Sequence, residues 1–152
     1  MSDWRAEITD ALAAFETMAE LARVPIRYDQ FELAFLEAPH KPPSSLPAGR
    51  MAIYGFWSGG AWLKIGMAGA KSQARYISQH YNKGSAPSTL AASLVNDPGM
   101  TDIIGFDSAA PGTWIKSSCN RVNILISAEY GRDMLALLEA FLHVRLRPRH
   151  ER

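Results

Sequence analysis

The sequence predicts an α+β fold, a small central antiparallel sheet flanked by helices with a further helix at the N-terminus. Three observations carry this. Residues 3–22 place Trp4, Ile8, Ala11, Leu12, Phe15, Met18 and Ala22 at helical spacing. Two apolar runs, Met51 to Trp57 and Ala61 to Gly66, flank Ser58-Gly59-Gly60 and read as a β-hairpin. Residues 131–146 carry the strongest helical pattern of the chain, ended by Pro148.

The remaining elements follow in order. Pro25 ends the first helix, and the loose alternation of Ile26, Tyr28, Phe31, Leu33 and Phe35 predicts a strand within 26–36. Pro39, Pro42, Pro43 and Pro47 then fall within nine residues, which neither a helix nor a central strand tolerates. This stretch reads as a linker, dividing an N-terminal accessory segment with its linker (residues 1–45) from a main domain (residues 46–152). After the hairpin, residues 71–82 are expected to form a helix, and a loop with Gly84 and Pro87 to follow. Ser88 is expected to cap a helix through Leu94 and Val95. Residues 97–120, with Pro98, Gly99, Gly105, Pro111 and Gly112, read as loop, and Val122 to Ser127 as a strand. The stripe from Trp4 to Ala22 can dimerise or pack on the domain, and the second is expected.

Composition narrows the class. In 152 residues, 47% are hydrophobic, enough for a real core. No run of eighteen apolar residues exists, and the first residues lack a basic start and apolar stretch, so neither a membrane span nor a signal peptide is expected. A single cysteine, Cys119, excludes an intrachain disulfide and a cysteine-based zinc site; a cytoplasmic location is expected. The net charge of +1 does not announce a nucleic-acid partner, but Arg145, Arg147, Arg149 and Arg152 with two histidines oppose only Glu151 near the C-terminus. Such a basic end can meet phosphates, or can be a solvated tail.

Five residues stand out chemically. Glu139 has Leu135, Ala136, Leu142 and His143 as its helical neighbours, so a carboxylate sits on an apolar surface. It needs a cation or metal facing it, or a route to water at the edge of the stripe. Arg75 offers a fixed cation with paired donors suited to phosphate. His80 is a side chain able to move a proton near neutral pH; on a surface helix either residue alone is ordinary. Tyr54 lies within an apolar strand, where a tyrosine is more often core than catalytic. Lys64, between Leu63 and Ile65, needs an outward face or a partner.

Taken in order, Ala52-Ile53-Tyr54, Lys64-Ile65-Gly66, Arg75, His80, and Glu139 within Leu138-Glu139-Ala140-Phe141-Leu142 resemble the GIY-YIG nuclease superfamily over residues 50–150. The stretch Leu146-Arg147-Pro148 is similar to the Leu-x-Pro end of that family's last helix. Ala52 stands for the first motif's glycine and Lys64 for the second motif's tyrosine. The family's terminal asparagine has no counterpart, with His150 or Glu151 near its place. The resemblance implies a GIY-YIG-like domain that cleaves phosphodiester bonds in nucleic acid, DNA before RNA, with one Mg²⁺ or Mn²⁺ held by Glu139. It implies Arg75 on the phosphate and Tyr54 as general base. Lys64 would lower the tyrosine's pKa across the hairpin, and His80 would orient water or phosphate. The competing readings are a binding module that keeps the fold without catalysis, and an interaction or regulatory protein acting through the N-terminal helix.

Overall fold

The computed structural model describes residues 3–85 and 88–150. Pro87, Glu151 and Arg152, named above, lie outside them. Helix α1 (Trp4–Leu21) starts where Asp3 accepts from the Arg5 and Ala6 amides at 3.0 and 3.4 Å. It buries Trp4, Ile8, Ala11, Leu12, Phe15 and Ala19; Ala22, expected on the stripe, is exposed, because the helix has ended and Arg23 adopts φ 62°. The strand expected over 26–36 is shorter. Tyr28–Gln30 is a 3-10 turn, and β1 is Glu32–Leu36. Residues 37–49 are irregular, as four prolines demand.

Strands β2 (Arg50–Ser58) and β3 (Ala61–Ala68) form the expected hairpin. Its turn residues Gly59 and Gly60 have φ of 61° and 83°, the left-handed pair that the twist of a two-residue hairpin requires. The helix expected over 71–82 is broken into α2 (Gln73–Ile77) and a 3-10 turn at Gln79–Tyr81. Helix α3 (Leu90–Val95) is capped by Thr89 rather than Ser88, the Thr89 hydroxyl accepting from Ala92 N at 3.2 Å. Within the stretch read as loop lies α4 (Pro111–Ser118), its proline in the first turn, where the missing amide costs nothing. Strand β4 (Asn120–Ser127) and helix α5 (Arg132–Leu146) complete the chain.

The fold is thus α+β, with a four-stranded, wholly antiparallel sheet in the order β1-β4-β2-β3. Side chains alternate across it. Met51, Ile53, Ile65, Val122, Ile124 and Ile126 face α1 and α5. Ala52, Tyr54, Phe56 and Leu125 face α2, α3 and α4. Because helices cover both faces, the central strands are buried almost end to end and read as apolar runs. The segments before and after the proline-rich stretch share this sheet and core: β1 pairs with β4, and the stripe of α1 packs on α5 and the sheet within the same chain. The stretch itself is pinned. Leu46 exchanges two hydrogen bonds with the Gln73 side chain, and His40 N donates to Lys116 O. Among the described residues, no helix is long and apolar enough to cross a membrane.

Candidate active site

The register of the hairpin sets the site. Tyr54 lies opposite Gly66, and Phe56 opposite Lys64. Directly opposed residues share a face, as do residues two apart, so Tyr54 and Lys64 point to the same side of the sheet, as the apolar runs and their turn predict. A side chain at position 66 has no room: a Cβ there would lie 2.7 Å from the Tyr54 hydroxyl and 2.8 Å from its ring. The glycine of the second motif is therefore the floor beneath the tyrosine.

The helices bring the other residues to it. His80, on the turn after α2, places Nε2 2.6 Å from Tyr54 Oη. Its other ring nitrogen, Nδ1, accepts from Leu90 N at the start of α3 at 3.0 Å. A neutral imidazole has one donor and one acceptor, so this amide fixes the proton on Nε2, and His80 donates to Tyr54. Arg75, half-buried on α2, is in electrostatic reach of the Tyr54 hydroxyl and favours its ionised form. Glu139 stands on α5, half-buried at the rim of the Leu135–Leu138–Leu142 stripe. One turn on, His143 Nε2 donates to Ile65 O at 2.8 Å, so this face of α5 runs along the β3 edge. The Glu139 carboxylate acts on Tyr54 electrostatically from there.

The electrostatics correct two expectations. Burial raises Tyr54 to about 12, against the opposing pull of Arg75 and then Arg121, with Glu139 adding to the rise. The cations that favour the phenolate are thus Arg75 and Arg121, rather than Lys64 across the hairpin, and burial outweighs them. His80 was expected to titrate near neutral pH. Burial pushes it down to about 2, helped by Arg75, Lys64 and Arg121, so it is a neutral, fixed donor. Cys119 is buried and pushed up to about 12, an inert thiol.

A second cluster beside the site was not singled out in the sequence. Arg121, only 1% exposed, lies on β4 opposite Phe56. Its guanidinium donates from Nε to Asn123 Oδ1 (2.7 Å), from one terminal nitrogen to Tyr81 Oη (3.0 Å) and from the other to Tyr76 O (2.6 Å). None of these is a carboxylate. Rings of Tyr54, Phe56 and Tyr76 lie 5.2 Å from it, and that of Tyr81 5.9 Å. Tyr81 in turn donates to His40 Nε2 (2.8 Å), whose Nδ1 donates to Cys119 O (2.7 Å). One arginine at a strand end gives no sequence signal of this kind; its partners are 40 and 45 residues away.

These buried histidines make stability pH-dependent. His80 and His40 both sit below the ordinary 6.5, chiefly through burial. The unfolded chain therefore binds protons that the folded one refuses. The stability is fully present above pH 6.5 and is lost as pH falls toward the folded values. By pH 5 the loss from His80 is about 2 kcal/mol. Thermal melts from pH 7 to 5 should show Tm falling steeply, and His80→Gln should flatten that slope; an unchanged slope would mean His80 is protonated in the fold.

Comparisons with protein-family models, with characterised proteins and with solved structures find no match to this chain.

Proposed function

We propose that this chain is a divalent-metal-dependent endonuclease of the GIY-YIG type, hydrolysing phosphodiester bonds in nucleic acid, DNA in the first instance. What carries the reading is the convergence on Tyr54 of residues 12 to 85 positions away. His80 is hydrogen-bonded to its hydroxyl, Gly66 lies beneath it, and Arg75 and Glu139 are in electrostatic reach. Lys64, buried on the same face, adds positive charge at His80.

Each residue then has a task. Arg75, a half-exposed cation with paired donors, binds the scissile phosphate. His80 donates to the Tyr54 oxygen and so favours the phenolate, the form that can accept the proton of the attacking water and become the phenol. Because the folded-state phenol titrates near 12, Tyr54 needs further positive charge before it acts as a base at neutral pH. Glu139 suits an ion that keeps most of its waters: one half-buried carboxylate, with the phosphate supplying another oxygen. Among the described residues no three His, Cys, Asp or Glu converge, so Glu139, Mg²⁺ or Mn²⁺ waters and substrate would make up the site. The bound ion would supply charge stabilisation at the scissile phosphate and leaving oxygen.

A second reading has its own observation. Tyr54 is 0% and His80 1% exposed, so water reaches them only if the fold opens locally on binding. A fold that never opens would be a nucleic-acid-binding or protein-interaction module. A cleavage assay over single- and double-stranded DNA and RNA, with Mg²⁺, Mn²⁺ and EDTA, separates the two. Metal-dependent cleavage is expected; binding without cleavage in every condition would leave the module.

A further inference from the structure

We propose that Arg121 is the positioning residue of this site, tying the segment that carries Arg75 and His80 onto β4, the strand paired with the one that carries Tyr54. Its catalytic consequence rests on the nuclease reading; its geometric consequence does not.

The segment needs such a tie. Helix α2 has five residues, no side-chain hydrogen bond at its N-cap, and is followed by one 3-10 turn. A helix this short has no stability of its own. Arg121 meets it twice. One guanidinium nitrogen holds the carbonyl of Tyr76, the residue after Arg75, and the other holds the hydroxyl of Tyr81, the residue after His80. The third donor, Nε, is anchored on Asn123, which lies directly opposite Tyr54 in the sheet. A planar fork spreads these three bonds in one plane, which an ammonium group does not do. The tie continues outward, since Tyr81 donates to His40 on the proline-rich stretch, and His40 to Cys119 O at the start of β4.

The bland alternative is that Arg121 merely fills space. An arginine buried without a carboxylate is an expensive filler, and methionine would occupy a similar volume without a charge to desolvate. Its three bonds end on the segment that positions the site and on the strand residue facing Tyr54, not on unrelated backbone.

The test reads the bond that the tie maintains. In the full chain with ¹⁵N-labelled histidine, the His80 Nε2–H, buried and 2.6 Å from Tyr54 Oη, should give a downfield, slowly exchanging proton resonance. His80→Gln identifies it by its loss. In Arg121→Met and Arg121→Lys the resonance should exchange at least about tenfold faster or vanish, while the protein still melts cooperatively. Tyr81→Phe, which removes one of the three acceptors and keeps the ring, should give a smaller acceleration and covers the case in which the arginine variants do not fold. Wild-type exchange in a folded Arg121→Met, or in Tyr81→Phe where neither arginine variant folds, overturns the proposal, as does the lack of such a resonance in the wild type. Where the wild type cleaves, kcat should fall in these variants with KM little changed. A wild type that cleaves nothing would sink the nuclease reading and leave the resonance to decide on Arg121.

Discussion

Replacing Glu139 by glutamine is expected to reduce metal-dependent cleavage about a thousandfold, equivalent to ~4 kcal/mol of lost transition-state stabilisation. The substitution preserves shape and hydrogen-bonding capacity and removes only the charge. Because Glu139 is half-exposed at the rim of its helix stripe, stability should change by about 1 kcal/mol or less. The two effects are thus separable in one protein. A Glu139→Gln variant that melts like the wild type and no longer cleaves supports the metal role. A structural carboxylate would behave differently: the variant would melt lower, and its activity would follow the folded fraction. Cleavage at the wild-type rate would remove Glu139 from the chemistry altogether. The carboxylate also contributes to the high titration of Tyr54. In the glutamine variant the tyrosine should therefore ionise slightly more easily, so lost activity would not be traceable to a worse base.

Deletion of residues 1–45 is expected to abolish cooperative unfolding. From sequence alone this segment reads as an accessory piece before a linker, yet it supplies Trp4, Ile8, Leu12, Phe15, Ile26 and Phe31 to the core and an edge strand to the sheet. Emptying single sites of this kind costs about 2–5 kcal/mol each, and a domain has about 5–15 kcal/mol in all. Phe15, which packs edge-on against both Phe31 and Phe141, is the graded version of the same test: Phe15→Ala should lower stability by about 3–5 kcal/mol. Calorimetry or chemical denaturation of the truncated chain gives the answer. A sharp, cooperative melt in a protein lacking residues 1–45 would show that the segments on either side of the prolines are independent.

The elements that depend on local pattern were legible. Helices α1 and α5 announce themselves by period, and the β2–β3 hairpin by its two glycines. The candidate residues Tyr54, Lys64, Arg75, His80 and Glu139 were selected by chemical type and order; the fold sets His80 on Tyr54, Lys64 on the same face, and Arg75 and Glu139 in electrostatic reach. Their roles were less legible, since these depend on contacts distant in sequence. His80 reads as a proton carrier until the Leu90 amide is seen to occupy its acceptor nitrogen. Arg121 looks like the polar margin of a strand until Tyr76 and Tyr81 close around it. Helix α4 was hidden by the Pro111-Gly112 pair, which reads as a turn; the glycine is needed because a Cβ there would lie 2.4 Å from Tyr81 O. The break within 71–82 has no strong sequence mark, and His80 and Tyr81 reach their partners only because the helix stops at Ile77.

The rim of β3 has a practical side. Three of its carbonyls are already engaged: Ile65 by the His143 ring, Trp62 by Arg149 N and Leu63 by His150 N. The last residues of the described chain thus act as a zipper along β3, the edge strand paired with the one that carries Tyr54. A strand from another molecule would find these carbonyls already taken, which disfavours pairing along this edge. Cutting the chain back to Pro148 would undo two of those three teeth, together with the contacts of Arg149 and His150 to Asp97, and would leave that stretch of β3 open to another strand.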